Sequence, residues 1–244
     1  GNAQKKYSCD YTEFQPEYEL YPKLFSAAIL TSRGCVFDCS YCSSKHIFDK
    51  FIQFPNNNII DLITYLVNER KVTDIAFYDD ALLINAGRHI IPILKNIIDH
   101  NINCRFHLPN AVHIRFMTRE IAELMKSANF DTFRLGLESV DDDWHLSEDN
   151  KIKILEFDKS LENMNDAGID FAKIAAYILI GLPDQTESQA AAAIKFVNSR
   201  GLKADLAYYS PMPYTKYWKQ SVEKFPEIAN EPLLTNSSVF PVMM

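Results

Sequence analysis

Ser26-Ala27-Ala28-Ile29-Leu30-Thr31-Ser32 runs without a break into Arg33-Gly34-Cys35-Val36-Phe37-Asp38-Cys39-Ser40-Tyr41-Cys42. Ser26 to Ser32 reads as a first β-strand whose end passes straight into a loop with three cysteines, Cys35, Cys39 and Cys42. Thiolates are soft ligands that favour iron–sulfur clusters or zinc over hard cations, and loops of two and three residues let them converge on one centre. A structural zinc site wants a fourth Cys or His, and an electron-transfer cubane a fourth Cys. Three local thiolates therefore leave one metal corner open to something else.

Outward from this segment, apolar runs and helical periods alternate. Pro55 and the asparagines 56 to 58 open a helix whose apolar face is Ile59, Leu62, Ile63 and Leu66, and Val72 to Tyr78 is a second strand. The next helix runs through Ile90, Ile93, Leu94, Ile97 and Ile98, with Pro92 tolerable only in the first turn. Ile102 to His107 is the third strand, Thr118 caps a helix carrying Ile121, Leu124 and Met125, and Asp131 to Leu137 is the fourth strand. A helix around Ile154, Phe157, Leu161 and Met164 ends at Gly168, because glycine accepts the left-handed conformation. Phe171 to Ile180 is the fifth strand; Thr186 and Gln189 form a capping-box pattern before an Ala-rich helix to Arg200, and Ala204 to Tyr209 is the sixth strand.

Six strand–helix units favour a parallel sheet, and six is fewer than the eight of a closed barrel. The expected fold is α/β: an open, partial (β/α)6 TIM-type barrel of parallel strands with an irregular C-terminal extension. A doubly wound sheet is the alternative, since sequence does not fix strand order. The expected organisation is a lead-in at 1–25, a core at 26–210, and an extension at 211–244 covering it. Tyr214, Tyr217 and Trp218 in that extension are read as packing aromatics, with pocket lining as the other reading.

Both architectures put function at the carboxyl ends of the strands. Past the second strand come Tyr78, Asp79 and Asp80; past the third, His107 and Asn110; at the fourth, Glu138 and Ser139. Gly181 follows the fifth, and Tyr208, Tyr209 and Ser210 close the sixth. Carboxylates and hydroxyls bind ammonium groups and sugar hydroxyls, and glycine permits close backbone approach. Asp79 and Asp80 fit a solvated turn or a helix cap as well as a site.

Composition narrows the classes. A net charge of -7 argues against a surface built for a phosphate backbone and so against nucleic acid. The longest apolar stretch, Ile174 to Leu182, is far below the roughly 20 residues of a membrane-spanning helix, and no secretory signal pattern is seen, so a cytoplasmic protein is expected. Five cysteines are an odd number for a disulfide framework; Cys104 reads as a small buried hydrophobe, and Cys9 likewise has a structural reading. A zinc knuckle of Cys35, Cys39, Cys42 and His46 fits the usual paired spacing poorly.

Cys-x3-Cys-x2-Cys with Tyr41 just before the last cysteine is similar to the signature of the radical S-adenosylmethionine (SAM) enzymes. With Glu19-Leu20-Tyr21-Pro22, Phe77-Tyr78-Asp79-Asp80, Leu135-Gly136-Leu137-Glu138-Ser139 and Ile178-Leu179-Ile180-Gly181-Leu182-Pro183, the chain resembles over nearly its whole length the subgroup that follows a cobalamin-binding domain. The resemblance implies a [4Fe-4S] cluster held by Cys35, Cys39 and Cys42, SAM on the fourth iron, and reductive cleavage to a 5′-deoxyadenosyl radical for hydrogen abstraction or methyl transfer. It places Tyr78, Asp79 and Asp80 by the methionine amino group, in a form that departs from the common Gly-Gly-Glu. Glu138 and Ser139 fall near ribose and methionine carboxylate, Ile180 and Gly181 near adenine, and the Tyr41 backbone at the adenine edge; Asn110 and Tyr208 are further cofactor candidates. It also implies a small-molecule or peptide substrate and an external electron donor such as flavodoxin or ferredoxin. Cobalamin would be bound by a domain absent from this chain, which starts at Gly1 and is expected to be an excised core. His46, His89, His107, His113 and His145 have no cobalamin-motif context and are read as surface or hydrogen-bonded residues. The alternative is a non-catalytic iron–sulfur or zinc protein for electron transfer or partner binding.

Overall fold

The computed structural model describes residues 16–236; Cys9 and the outer parts of the expected lead-in and extension lie outside the described residues. In chain order the elements are β1 (Ser26–Ile29), β2 (Ser32–Arg33), α1 (Ser44–Ile47), β3 (Ile52–Gln53), α2 (Asn56–Asn68), β4 (Asp74–Phe77), α3 (Ile90–Asp99), β5 (Arg105–Val112), α4 (Arg119–Ser127), β6 (Phe130–Glu138), α5 (Asp142–Glu148), α6 (Ile154–Asp166), β7 (Ile174–Ile180), α7 (Glu187–Ser199), β8 (Lys203–Tyr208) and α8 (Lys216–Lys224).

The helices form where local chemistry and burial agree. Thr118 Oγ1 accepts the Ile121 N–H at the start of α4, and Thr186 and Gln189 exchange bonds at the start of α7, satisfying donors that a helix leaves open. Pro92 lies in the first turn of α3, where its missing N–H removes no helical bond. Ile59, Leu62, Ile63 and Leu66 of α2, and Ile90, Ile93, Leu94 and Ile97 of α3, are the buried face of each helix. Gly168, at φ +73°, follows α6 in the left-handed conformation.

β1, β4, β5, β6, β7 and β8 make one sheet in that order, and every pairing is parallel. Spatial order equals chain order. A doubly wound sheet needs a point where that order reverses, so the alternative fails. β1 and β8 are the two edges of the sheet, which is the open, partial barrel.

Several boundaries differ from expectation, and one helix is additional; the fifth strand, expected from Phe171, starts at Ile174 because Phe171–Lys173 is a 3-10 turn capped by Asp170. The first strand stops at Ile29, and Ser32–Arg33 pairs instead with Ile52–Gln53 in a separate two-stranded ribbon. The third strand of the sheet runs on to Val112, so His107 and Asn110 lie within β5 rather than after it; a register shift between Leu108 and Val112 absorbs the irregularity around Pro109. Helix α5 was not foreseen, because of its seven residues only His145 is buried and no apolar period announces it.

Phe77, Phe106, Phe130 and Phe133 form a run of ring contacts across β4, β5 and β6, with centroids 5.3 to 6.3 Å apart. A smaller cluster of Leu179, Leu182, Tyr209, Tyr217 and Ile228 joins the end of β7 to the C-terminal segment, and Trp218 packs against it. Tyr217 is thus a packing aromatic, whereas Tyr214 is 79% exposed. Among the described residues no helix is long and apolar enough to cross a membrane.

Asp74 ties β4 to β5 through Arg105 at 2.8 Å and His107 at 3.0 Å. Burial opposes its ionisation, but Arg105, Thr73 and His107 outweigh that and hold the carboxyl at about 2. A depressed carboxyl stabilises the fold above its unfolded value near 4 and loses that contribution as pH falls toward 2. Asp74→Asn is expected to cost about 1 kcal/mol at pH 7 after discounting for the exposed Arg105, and the gap from wild type should close between roughly pH 4 and pH 2. Phe106→Ala, at a side chain with no exposure, should cost about 3–5 kcal/mol in urea unfolding.

Candidate functional site

The cysteine loop begins where β1 runs out of sheet partners. The Tyr78 N–H still bonds the Ile29 carbonyl at 2.9 Å, but the Thr31 N–H turns to the Asp79 carboxylate at 3.0 Å. Thr31 Oγ1 and Ser32 Oγ reach the same Oδ1 at 2.8 and 2.6 Å. Thr31, Ser32 and Asp79 are all buried. Backbone leaving a sheet needs new partners, and here one side chain provides them. Gly34 follows at φ +80°; a Cβ there would stand 2.9 Å from the Lys50 carbonyl oxygen and 3.1 Å from Phe48 Cβ, so both conformation and space call for glycine.

Beyond Gly34, Cys35, Cys39 and Cys42 line one cavity of about 260 Å³. Tyr41, Asp80, Asn110, His113 and Lys151 supply further walls. Cys39 is buried, Cys35 half-buried and Cys42 exposed. Burial pushes the Cys39 thiol up to about 12 and raises Cys35; Cys42 adds to both shifts, while Lys151 pulls the other way. Binding of a metal centre here would therefore displace thiol protons. His113 Nε2 lies 3.6 Å from Cys35 Sγ, and its ring contacts Phe37 at 4.6 Å; burial lowers its pKa to about 3. On the far wall Ser44 Oγ donates to Asp80 Oδ2 at 2.7 Å, and Asn110 Nδ2 donates to the Tyr78 carbonyl at 2.7 Å.

A buried charge network backs the cavity. Lys151 Nζ lies 3.3 Å from Glu138 Oε1 and 5.1 Å from the centroid of Tyr41. Burial works against its charge, but Glu138, Cys39 and Asp149 outweigh that and hold its pKa above the usual range. Tyr41 stacks on Trp144 at 5.9 Å and donates to Asp149 Oδ2 at 3.0 Å; Asp149 in turn pairs with His145 at 2.9 Å. Glu138 takes φ +65°, a left-handed conformation uncommon outside glycine, at the point where the β6–β7 register shifts.

The cavity therefore gathers Cys35, Cys39, Cys42, Tyr41, Asp80 and Asn110 from the expected site residues. Asp79 is buried beneath the loop with its oxygens engaged, and Glu138 reaches the cavity through Lys151. Tyr78 lines a separate apolar cavity of about 210 Å³ with Tyr18, Leu30 and Phe54. Ser139 lines a polar one of about 230 Å³ behind Trp144. The Gly181 N–H is taken by Gln185 Oε1 at 2.8 Å, beside Ile180 at the end of β7, and Tyr208 is half-exposed at the end of β8. His46 is exposed and does not line the cysteine cavity. His89, His107, His113 and His145 all have polar partners. Lys151 escaped the sequence reading, and His113 was read only as a surface or hydrogen-bonded residue: neither stands at a motif or a predicted strand end. Among the described residues no three His, Cys, Asp or Glu side chains gather closely enough to hold a single metal ion. Zinc needs that convergence, whereas ligands to separate irons of a cubane stand further apart.

The Radical SAM superfamily model matches residues 29–197. An uncharacterised methyltransferase of Pyrococcus horikoshii is 27% identical over 238 residues, covering 90% of this chain and 47% of the relative. The chain thus spans about half the length of that relative. The radical SAM methyltransferase TsrM from Kitasatospora setae, solved with cobalamin and a [4Fe-4S] cluster, is similar in fold at TM-score 0.70 and 16% identity, over 81% of this chain and 39% of that one. Coproporphyrinogen III oxidase from Escherichia coli is similar at TM-score 0.58 and 16% identity, over 93% and 57%.

Gly34→Ala is expected to destabilise the protein by at least about 1 kcal/mol and to disorder the cysteine loop selectively. Hydrogen exchange should show the change at 33–50 and leave the β5–β7 amides protected.

Proposed function

The chain belongs to the radical SAM superfamily, and we propose that Cys35, Cys39 and Cys42 are its ligands to three irons of a [4Fe-4S] cluster, with SAM on the fourth. The observation that carries this reading is the donor set of one cavity: three thiols and, among the described residues, no fourth cysteine, with a carboxylate and a buried lysine beside them. When bound, the reduced cluster supplies the electron that breaks a sulfonium carbon–sulfur bond of SAM, the source of a 5′-deoxyadenosyl radical.

The chain's own groups divide the remaining work. Asp80, not Asp79, is the carboxylate placed to receive the methionine ammonium, because it lines the cavity with only Oδ2 bonded, to Ser44, while Asp79 is consumed beneath the loop. Lys151, held charged by Glu138 and Asp149, attracts the methionine carboxylate. The Tyr41–Trp144 stack closes one wall against water, and Ser139, Ile180, Gly181 and Tyr208 at neighbouring strand ends extend the cradle toward ribose and adenine. The names of the Pyrococcus and Kitasatospora relatives favour methyl transfer, on a small molecule or peptide, over other outcomes. The electron would come from an external carrier such as flavodoxin or ferredoxin.

Anaerobic reconstitution, electron paramagnetic resonance with and without SAM, and product analysis test the proposal. A cubane signal that changes on adding SAM is expected, with 5′-deoxyadenosine or S-adenosylhomocysteine formed. Zinc without iron, or a cluster indifferent to SAM, would return the protein to a structural or electron-transfer role. Cys39→Ala should abolish the SAM-dependent signal and cleavage while circular dichroism stays close to wild type. Asp80→Ala should weaken SAM binding about tenfold, the loss of one charge-assisted contact; unchanged affinity would remove the ammonium assignment.

A further inference from the structure

The turn that delivers the cysteine loop contains three polar contacts in series. Asn56 Nδ2 donates to the Arg88 carbonyl at 3.0 Å, which only an N–H can do, so the amide's acceptor Oδ1 is the atom facing His89 Nδ1 at 2.9 Å. His89 Nε2 lies 2.9 Å from Thr31 Oγ1, and Thr31 Oγ1 lies 2.8 Å from Asp79 Oδ1. Each contact needs one hydrogen. A neutral imidazole supplies one, the threonine hydroxyl supplies one, and an ionised carboxylate supplies none. With ionised Asp79 and neutral His89, two lone pairs would face each other at hydrogen-bond distance. Thr31 has no exposure, His89 2% and Asp79 4%, so such a clash would go unscreened.

We propose that Asp79, Thr31 and His89 share one extra proton in a buried, electrically neutral relay ending on Asn56, and that this relay positions the cysteine loop. Two placements satisfy all three contacts. Either the His89 imidazolium donates to Thr31, which donates to the Asp79 carboxylate, or the Asp79 carboxylic acid donates to Thr31, which donates to neutral His89. His89 Nδ1 carries a proton in both. Burial raises the Asp79 carboxyl above its ordinary range and lowers the His89 imidazole to about 4, so of the two placements the one with the proton on Asp79 is favoured.

The relay joins four elements at one point. Asn56 opens α2, His89 precedes α3, Asp79 follows β4, and Thr31 follows β1. Thr31 also accepts the Phe54 N–H at its carbonyl, at 2.9 Å, which draws the β2–β3 ribbon to the same place. The entry to the loop is therefore fixed from every side four residues before Cys35. Asp79, Thr31 and His89 are positioning residues; the consequence for cluster loading rests on the function proposed above, while the proton count does not.

Nitrogen NMR of the 15N-histidine-labelled chain, with His89 assigned through His89→Gln, tests the count. With 13C NMR of the Asp79 carboxyl, assigned through Asp79→Asn, one proton on the pair is expected at pH 7, either an imidazolium beside a carboxylate or a neutral ring protonated at Nδ1 beside a carboxylic acid; a neutral His89 beside an ionised Asp79 would overturn the relay. Iron content after reconstitution tests positioning. Asp79→Leu and Thr31→Val should lose about fivefold or more, and Asp79→Asn, which keeps a donor toward Thr31 Oγ1 but loses the acceptor that Ser32 Oγ uses, should fall between them and wild type. Full loading in Thr31→Val would overturn the positioning role. If wild type takes up no iron, the proposed function fails while the NMR result still decides the relay.

Discussion

The Thr31–Ser32 peptide must leave a parallel sheet and still be held, and the Asp79 carboxylate is what holds it. A strand end that turns into a loop gives up its ladder partners, and unpartnered polar backbone is costly in a buried place. Asp79 replaces those partners from the end of the adjacent strand, β4, so the same parallel pairing that builds the sheet also places the anchor. Gly34 can then turn against Lys50 and Phe48, and the three thiols come to face one cavity. Were the anchor lost, the sheet could survive and the site could not.

The cavity combines burial with charge, which ordinary cores avoid. Lys151 is tolerable because Glu138 pairs with it, and Asp149 because His145 does. Such pairs add little to stability, since desolvation offsets much of their attraction. Their value lies in a fixed electrostatic setting around the thiols. The left-handed backbone at Glu138 is a local strain accepted to aim that carboxylate at Lys151.

The far side of the loop is held by elements distant in sequence. The Ser40 N–H bonds the Glu148 carbonyl at 2.8 Å and its own carbonyl accepts the Tyr217 N–H at 3.0 Å. Trp144 Nε1 donates to Tyr217 Oη at 3.0 Å, and Lys216 pairs with Glu148 at 2.6 Å. The cysteine loop is therefore clamped between α5 and α8.

The alternation of apolar runs with helical periods was enough to name six parallel units, because burial of one helix face and both sheet faces leaves its period in the sequence. The capping pairs at Thr118 and Thr186 and the stop at Gly168 were legible for the same reason: each acts within a few residues. The cysteine spacing likewise announced a soft-metal loop by itself. Strand order was not legible, nor was the extension of β5 past Pro109, since both depend on which strands meet. The burial of Asp79 beneath the loop while Asp80 faces the cavity, the arrival of Lys151 and His113, and the clamp by α8 were also decided only in three dimensions. Those features rest on contacts between residues tens of positions apart, where pattern along the chain carries no information and burial and hydrogen-bond partnership settle which side chain does what.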